Sequence, residues 1–134
     1  MLANHPLDCP ICDQGGECDL QDTFKLHGFN GGRFNEFKRG VEYKNFGPIV
    51  HGSMTRCIHC TRCIRFTVQV VGDSSMGGLG RGKFKEVGMY KDGFATNEIS
   101  GNMADLCPVG ALVQQVPYFQ AFHSPIGSNS GHGN

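Results

Sequence analysis

The sequence predicts a small α+β fold, with short helices, one hairpin and long loops that wrap around metal-binding side chains. Seven cysteines in 134 residues fall into spaced motifs. Apolar residues at helical spacing follow two of these motifs, and a glycine-rich stretch with alternating apolar residues lies beyond the second. With 20 glycines and no tryptophan the chain builds only a thin core, so we expect a metal to stabilise it.

Composition excludes several classes of protein. The odd number of cysteines and the lack of an apolar signal-peptide core argue against a secreted disulfide framework and favour a reducing, intracellular setting. No apolar run approaches the length of a membrane span, and a net charge of zero gives no footprint for nucleic acid. No nucleophile has a recognisable base. We therefore expect no catalytic residue, no nucleic-acid partner and no direct membrane span.

The segment from Thr55 to Arg65 carries three cysteines spaced C-x2-C-x2-C. Three thiolates at this spacing suit three corners of an iron–sulfur cubane, and a fourth ligand must come from elsewhere. In the two-cluster ferredoxin pattern, C-x2-C-x2-C-x3-C-P, the last cysteine of one run binds the cluster of the other run. The cysteine before Pro108 fits that role, which predicts a four-cysteine set: Cys57, Cys60, Cys63 and Cys107.

The same pattern shows that a second ferredoxin cluster is missing. Its four ligands would fall at Thr67, Asn97, Ser100 and Met103, and none of these is a cysteine. The sequence therefore predicts a ferredoxin-like fold that keeps one of two clusters.

Another motif, H-x3-C-x2-C-x5-C, begins close to the N-terminus. Prolines beside the cysteines and the pair Gly15-Gly16 allow the backbone to wrap tightly around an inorganic core. Three thiolates and one imidazole make a complete group of four ligands. This histidine set consists of His5, Cys9, Cys12 and Cys18.

The histidine motif, with Leu2-Ala3-Asn4 before it and Asp19-Leu20-Gln21-Asp22 after it, resembles the large iron–sulfur subunit of respiratory complex I (NADH:ubiquinone oxidoreductase). Residues 54–65 and 100–112 resemble the same subunit in the same order, so the resemblance spans about residues 1 to 113. It implies two 4Fe–4S clusters, one on the histidine set and one on the four-cysteine set. It also implies a non-catalytic electron relay in the peripheral arm, passing single electrons from the NADH and flavin side toward quinone.

The resemblance further implies partners and a location. The partners would be a chain or domain bearing a 2Fe–2S cluster, the flavin subunit, and the next 4Fe–4S subunit toward quinone. The location would be the matrix side of the mitochondrial inner membrane, or the cytoplasmic face of the membrane in a bacterium. The family's subunit is much longer, so the chain is either a fragment or part of a split subunit; because it starts at Met1 and ends in an unusual tail, we favour a split subunit.

We divide the chain into a histidine-set segment (1–27), a linker (28–53), a ferredoxin-like segment (54–113) and a C-terminal tail (114–134). Periodicity predicts helices from Cys18 to Gly28, over 61–71 and over 98–106, and a hairpin over 76–94. We expect the linker phenylalanines to form a satellite core, with contact to a neighbouring subunit as the alternative; they are Phe29, Phe34, Phe37 and Phe46.

Charges and the remaining histidines give further expectations. Five acids crowd the histidine set (Asp8, Asp13, Glu17, Asp19 and Asp22), whereas Arg56, Arg62 and Arg65 flank the four-cysteine set. Carboxylates oppose added electrons, so we predict that the histidine-set cluster is the harder to reduce, although imidazole ligation acts in the opposite direction. We assign no ligand role to His27, His51, His59, His123 or His132, and expect His59 to face solvent or a partner.

Two other functions fit parts of the pattern. The accessory region of an iron-only hydrogenase or a diaphorase shares the histidine motif, but such relatives usually keep both ferredoxin clusters. A structural module could hold two tetrahedral zinc ions with the same eight side chains, but zinc sites favour separated pairs of cysteines.

Overall fold

The computed structural model describes residues 2–29, 31–90, 95 and 97–115. Its helices and strands are short and are connected by long loops. The helices are α1 (Asp19–His27), α2 (Arg62–Phe66) and α3 (Asn102–Leu106), and the strands are β1 (Lys44–Asn45), β2 (Val50–Gly52), β3 (Met76–Leu79), β4 (Glu86–Met89) and β5 (Leu112–Gln114). The expected α+β class is confirmed. Nearly all of the predicted tail lies outside the described residues.

The strands form two antiparallel sheets. In the first, the order is β1–β2–β5, with Asn45 opposite His51 and His51 opposite Val113. In the second, β3 and β4 form a hairpin with Met76 opposite Met89. This confirms the predicted hairpin up to residue 90, and residues 91–94 of its range are outside the described part of the chain.

The segment predicted as a linker contains β1 and β2. β1 pairs with the nearby β2, and β2 pairs on its other side with β5, about sixty residues further along, a partner that local periodicity does not show. The division of the chain into segments remains a prediction.

The core lies where β2, the hairpin and α3 meet. Its fully buried side chains include Phe46, Val50, Val87 and Met103. Phe46 packs over Gly52, where a Cβ atom would overlap the phenyl ring. The satellite-core expectation is confirmed for Phe46 and wrong for Phe29 and Phe37, which are almost fully exposed.

Helix α1 begins directly after Cys18 and ends at Gly28, as predicted. Asp19 and Asp22 in its first turn and Lys25 in its last turn complement the helix dipole. Gly28 has extended backbone geometry, and it is required because a Cβ atom there would overlap the Phe24 ring.

The other two helices differ from their predicted forms. After Phe66, α2 widens into a π-helical turn, Thr67–Val71, which ends at Gly72 with φ +77°. Helix α3 starts four residues later than predicted, because residues 97–101 form turns closed by bonds such as that from the Ser100 N–H to the Asn97 carbonyl. No helix among the described residues is long and apolar enough to cross a membrane.

Candidate metal centres

The four members of the histidine set border one cavity of about 250 Å³. Short turns place them there. The His5 N–H donates to the Leu2 carbonyl at 3.0 Å, and the Cys12 N–H donates to the Cys9 carbonyl at 3.3 Å. Gly16, with φ +93°, then turns the chain toward Cys18. The remaining wall is mainly apolar and includes side chains of Leu2, Leu7, Leu20, Ile58 and Val109.

His5 is 8% exposed, and its Nε2 atom is buried without a hydrogen-bond partner in the described part of the chain. Burial, and then the charge of Arg39, lower the pKa of His5, whereas a hydrogen bond with the Thr55 backbone raises it. A buried nitrogen without a partner is costly. A neutral imidazole with one nitrogen free and the other held by the backbone is the usual state of a metal-binding histidine. His5 therefore fits the role of a metal ligand.

Gly110 lies against the same cavity. A Cβ atom at this position would be 2.8 Å from Cys12 Sγ and 3.0 Å from Gln14 Cβ. Only glycine allows the backbone after Pro108 to approach the Cys12 sulfur so closely.

Arg56 joins the two segments beside this cavity. Its side chain is only 3% exposed, and Nη2 donates to the Ile11 carbonyl at 3.1 Å while Nη1 donates to the Gly110 carbonyl at 3.5 Å. Its Nε atom is 3.6 Å from Asp8 Oδ2, which also accepts a hydrogen bond from Thr55 Oγ1 at 2.7 Å.

The position of Arg56 corrects the distribution of charge expected from the sequence. Arg56 was expected to flank the four-cysteine set, but its guanidinium group lines the cavity of the histidine set. Of the five acids, only Asp8 lines that cavity, and Arg56 compensates its charge. One premise for the predicted order of reduction is therefore wrong, and the order itself stays a prediction.

The four-cysteine set borders a second, smaller cavity of about 20 Å³, whose other walls are apolar residues of β4, β5 and the loops, together with Thr61 and Arg62. All four thiols are half-buried. Burial, and then the neighbouring thiol of Cys57, raise the pKa of Cys63 to about 11. Burial also raises the pKa of Cys57, and Cys107 and Cys60 add to that rise. Metal ligation requires thiolates, so a bound cationic centre would have to offset the burial and mutual repulsion that oppose their ionisation. A multi-atom cluster needs more room, so its binding has to spread the four side chains.

The loop that presents these thiols has unusual backbone geometry. His59 and Thr61, on either side of Cys60, have φ of +57° and +64°, a region that residues other than glycine seldom occupy. The two left-handed residues turn the loop, and the His59 N–H donates to Cys57 Sγ at 3.4 Å.

His59 was expected to face solvent or a partner. The structure instead places it against another residue of the same chain. Its ring packs edge-on against the His5 ring, with 5.4 Å between the centroids and 68° between the planes. Burial lowers the pKa of His59, and the nearby His5 lowers it further.

The two centres are adjacent. Ile58 and Val109 line both cavities, and Cys18 Sγ is 3.7 Å from the carbonyl oxygen of Pro108, the residue after Cys107. No three His, Cys, Asp or Glu side chains within the described ranges are arranged to hold a single metal ion. Instead, the members of each set surround a cavity of their own.

Sequence reasoning assigned no role to Gly110 and placed two other residues of these centres, Arg56 and His59, in the wrong surroundings. Arg56 and His59 are adjacent to cysteines of the motif, and Gly110 follows the Cys-Pro pair, so proximity to the motifs was the available signal. The contacts that give each of them a role join distant parts of the chain.

Two adjacent sets of four donors define the class of iron–sulfur-binding domains with a ferredoxin-like segment, and the second set is formed by the loop and first turn of α2 together with Cys107 after α3. Residues 47–113 match the family model described as NADH-quinone oxidoreductase subunit 3, ferredoxin-like domain, and residues 1–33 match the NADH-ubiquinone oxidoreductase-G iron-sulfur binding region. The chain belongs to this NADH-quinone oxidoreductase family.

Curated relatives agree with the family models. The chain is 58% identical over 118 residues to the NADH-ubiquinone oxidoreductase 75 kDa subunit of Reclinomonas americana, which covers 88% of this chain and 17% of the relative. It is 56% identical over 121 residues to the mitochondrial NADH dehydrogenase (ubiquinone) iron-sulfur protein 1 of Solanum tuberosum, covering 90% of this chain and 16% of the relative. The chain thus spans about a sixth of the length of these relatives, and the predicted resemblance is confirmed.

A solved structure has a similar fold. The crystal structure of an NAD+-reducing NiFe-hydrogenase in the H2-reduced state contains a chain that matches with a TM-score of 0.72 and 26% identity. The match covers 85% of this chain and 50% of the hydrogenase chain. The ferredoxin-like fold class is confirmed.

Proposed function

We propose that this chain is an electron-relay component of respiratory complex I that holds two 4Fe–4S clusters. His5, Cys9, Cys12 and Cys18 would bind one cluster, and Cys57, Cys60, Cys63 and Cys107 would bind the other. The observation that carries the proposal is the pair of adjacent cavities with shared walls, one bordered by the histidine set and the other by the four-cysteine set.

The clusters, when bound, supply one-electron chemistry. The protein supplies the ligands, their spacing and their surroundings. Apolar side chains form much of the walls of both cavities, and the Thr55 backbone orients the His5 imidazole so that Nε2 is available. Beside the histidine set, the positive charge of the Arg56 guanidinium compensates the negative charge of Asp8. No substrate bond is made or broken on this chain.

The family supports further parts of the proposal. The chain would act with a 2Fe–2S-bearing chain or domain, the flavin subunit and the next 4Fe–4S subunit toward quinone. It would lie on the matrix side of the mitochondrial inner membrane, as part of the peripheral arm, since similar proteins include a mitochondrial subunit.

The hydrogenase likeness favours a second candidate, an iron–sulfur module of an NAD+-linked hydrogenase. The identity to that structure is 26%, against 58% to the 75 kDa subunit, so the complex I function is preferred. A zinc module is a weaker candidate, because a zinc ion requires its donors to converge on a single point.

The test is the metal content and EPR spectrum of the native complex that contains this chain, with two variants. We expect iron and sulfide with two distinct 4Fe–4S signals in the unmodified complex. His5→Ala should alter or remove one signal and Cys60→Ser the other. His27→Ala is the matched control, because His27 is exposed on α1. Zinc in place of iron, or one signal lost in both variants, would contradict the proposal.

A further inference from the structure

A contact between two histidine rings connects the two ligand sets. His59 belongs to the four-cysteine loop, between Cys57 and Cys60, yet its ring contacts the ring of His5. Its backbone N–H donates to Cys57 Sγ. A path therefore runs from the Cys57 sulfur to the His5 imidazole. It consists of the hydrogen bond to the His59 N–H, the covalent bonds of His59 and the contact between the two rings.

The structure holds the His59 ring in this position at a cost. A φ of +57° is unfavourable for a residue with a bulky ring and persists only where the surroundings fix it. The His59 Nδ1 atom is buried and has no hydrogen-bond partner among the residues described. The described contact that orients the ring is therefore its edge-on packing against His5, which has its own unpartnered Nε2 at the other cavity.

A second contact also connects the two sets, but it is less suited to carry electrons between them. Cys18 Sγ donates to the Pro108 carbonyl at 3.7 Å, and Pro108 follows Cys107. That hydrogen bond needs the thiol proton, which a metal-bound thiolate no longer carries. The route through His59 does not use a ligand proton, since its hydrogen bond is donated by a backbone amide.

We propose that His59 carries the electronic contact between the two centres, an inference that rests on the proposed function. With both clusters bound, the centre at the four-cysteine set would be oxidised by one electron, and the centre at the histidine set would be reduced by that electron. Cys57, His59 and His5 would provide the path between them. No bond forms or breaks and no proton moves. His59 acts as a positioning residue, since its ring touches a ligand and not a cluster.

The test compares three variants in the native complex. His59→Gly removes the ring, tolerates the left-handed backbone and keeps the N–H that bonds to Cys57. His59→Phe keeps a ring without its nitrogens. His27→Ala is a histidine control on the exposed surface of α1. Each complex is reduced by a photochemical one-electron donor and frozen at successive times, and the EPR signals of both clusters and the iron content are measured.

We expect His59→Gly to keep both EPR signals and the full iron content while electron equilibration between the clusters slows severalfold. His59→Phe and His27→Ala should equilibrate at the unmodified rate. The inference is overturned if His59→Gly equilibrates at the unmodified rate, if His59→Phe is as slow as His59→Gly, or if His59→Gly loses a signal, since that would make its role structural. If the unmodified complex lacks either 4Fe–4S signal, the proposed function fails instead.

Discussion

At the scale of single residues, positions outside the ligand motifs shape both centres. Gly110 and Arg56 come from the ferredoxin-like segment, but both lie against the cavity of the histidine set. Arg56 Nη2 reaches the Ile11 carbonyl, and the Thr55 backbone bonds to the His5 ring. The histidine set therefore depends on the second segment for its final geometry.

Substitution of Gly110 tests this dependence by sterics alone. In Gly110→Ala the new methyl group would be 2.8 Å from Cys12 Sγ, closer than such contacts are found, so the sulfur or the backbone must shift. We expect loss of the histidine-set EPR signal with the four-cysteine signal retained, and a matching fall in iron content. Gly40→Ala, at a position with open space around it, is the control and should keep both signals. Retention of both signals in Gly110→Ala would show that the close approach is unimportant.

Substitution of Arg56 tests the effect of charge. Arg56→Met leaves the Asp8 carboxylate uncompensated and the Ile11 carbonyl without its donor, which should lower the free energy of unfolding by about 2 kcal/mol or more. The uncompensated negative charge of Asp8 should also lower the reduction potential of the histidine-set cluster. Urea unfolding and an EPR-monitored redox titration measure the two effects.

The control for Arg56 is Arg62→Met, which removes an exposed arginine next to the four-cysteine set. We expect Arg62→Met to leave the histidine-set potential unchanged. The double variant Asp8→Asn with Arg56→Met should recover most of the lost potential, because it removes the uncompensated charge. A similar shift in Arg56→Met and Arg62→Met would contradict a specific role for the buried guanidinium.

At the scale of elements, the helices that follow the two N-terminal ligand motifs are short and end at glycines, Gly28 and Gly72. The α2 helix and its π-helical turn carry the chain away from Cys63 and stop at Gly72, where the Asp73 N–H donates to the Thr67 carbonyl at 2.9 Å. Thr67 is buried at the start of this turn. The position where the ferredoxin pattern would have a further cysteine is thus filled by a buried side chain whose hydroxyl donates to the Ile64 carbonyl.

Gly72 provides a test of this helix end. Its φ is +77°, and no atom lies within 4 Å of a Cβ built there, so Gly72→Ala introduces backbone strain without a clash. We expect the free energy of unfolding to fall by about 1–2 kcal/mol. Gly31→Ala is the control, since Gly31 has open space and no left-handed backbone. Equal stabilities of the two variants in urea unfolding would show that the helix end tolerates another conformation.

At the scale of the whole molecule, the sequence predicted the features that depend on neighbouring residues and not those that depend on residues far apart in the chain. The helix after Cys18, the hairpin and the two motifs depend on neighbouring residues, and they were predictable from spacing. The pairing of β2 with β5, the place of Arg56 and the ring contact of His59 depend on segments about fifty residues apart or more. A single sequence gives no periodicity that reports such pairings, so these features required the structure.

The exposed phenylalanines show the same limit. Phe46 and Phe37 both lie in the segment predicted as a linker. Only Phe46 directly follows a strand, and its ring packs over Gly52. Burial of a loop aromatic depends on the partner that the fold supplies. For Phe29 and Phe37, contact with a neighbouring subunit remains a prediction.

The segment between the two motifs ties the molecule together. The Arg39 N–H donates to the Asn4 carbonyl at 3.1 Å, next to His5, and Arg39 Nη2 is 2.9 Å from Glu86 Oε1 on β4. Lys44 of β1 is 2.6 Å from Glu86 Oε2. One carboxylate therefore holds two points of this segment against the hairpin, close to the pair of histidines that joins the two centres.

Glu86 gives this arrangement a pH dependence. The hydrogen bond from Lys44, and then the charges of Lys44 and Arg39, lower the pKa of Glu86 below its ordinary value of 4.5, against the opposing effect of burial. A carboxyl group whose pKa is lowered by folding stabilises the folded state above its unfolded pKa, and this contribution is lost as the pH falls through the folded pKa.

At neutral pH we expect Glu86→Gln to lower the free energy of unfolding by about 1 kcal/mol, and this difference should shrink as the pH falls below 4.5. Glu36→Gln, an exposed change in the same segment, should have no effect at either pH. Urea unfolding at neutral and acid pH measures both variants, and a Glu86→Gln deficit that stays constant across this range would mean that its carboxylate does not hold the segment through charge.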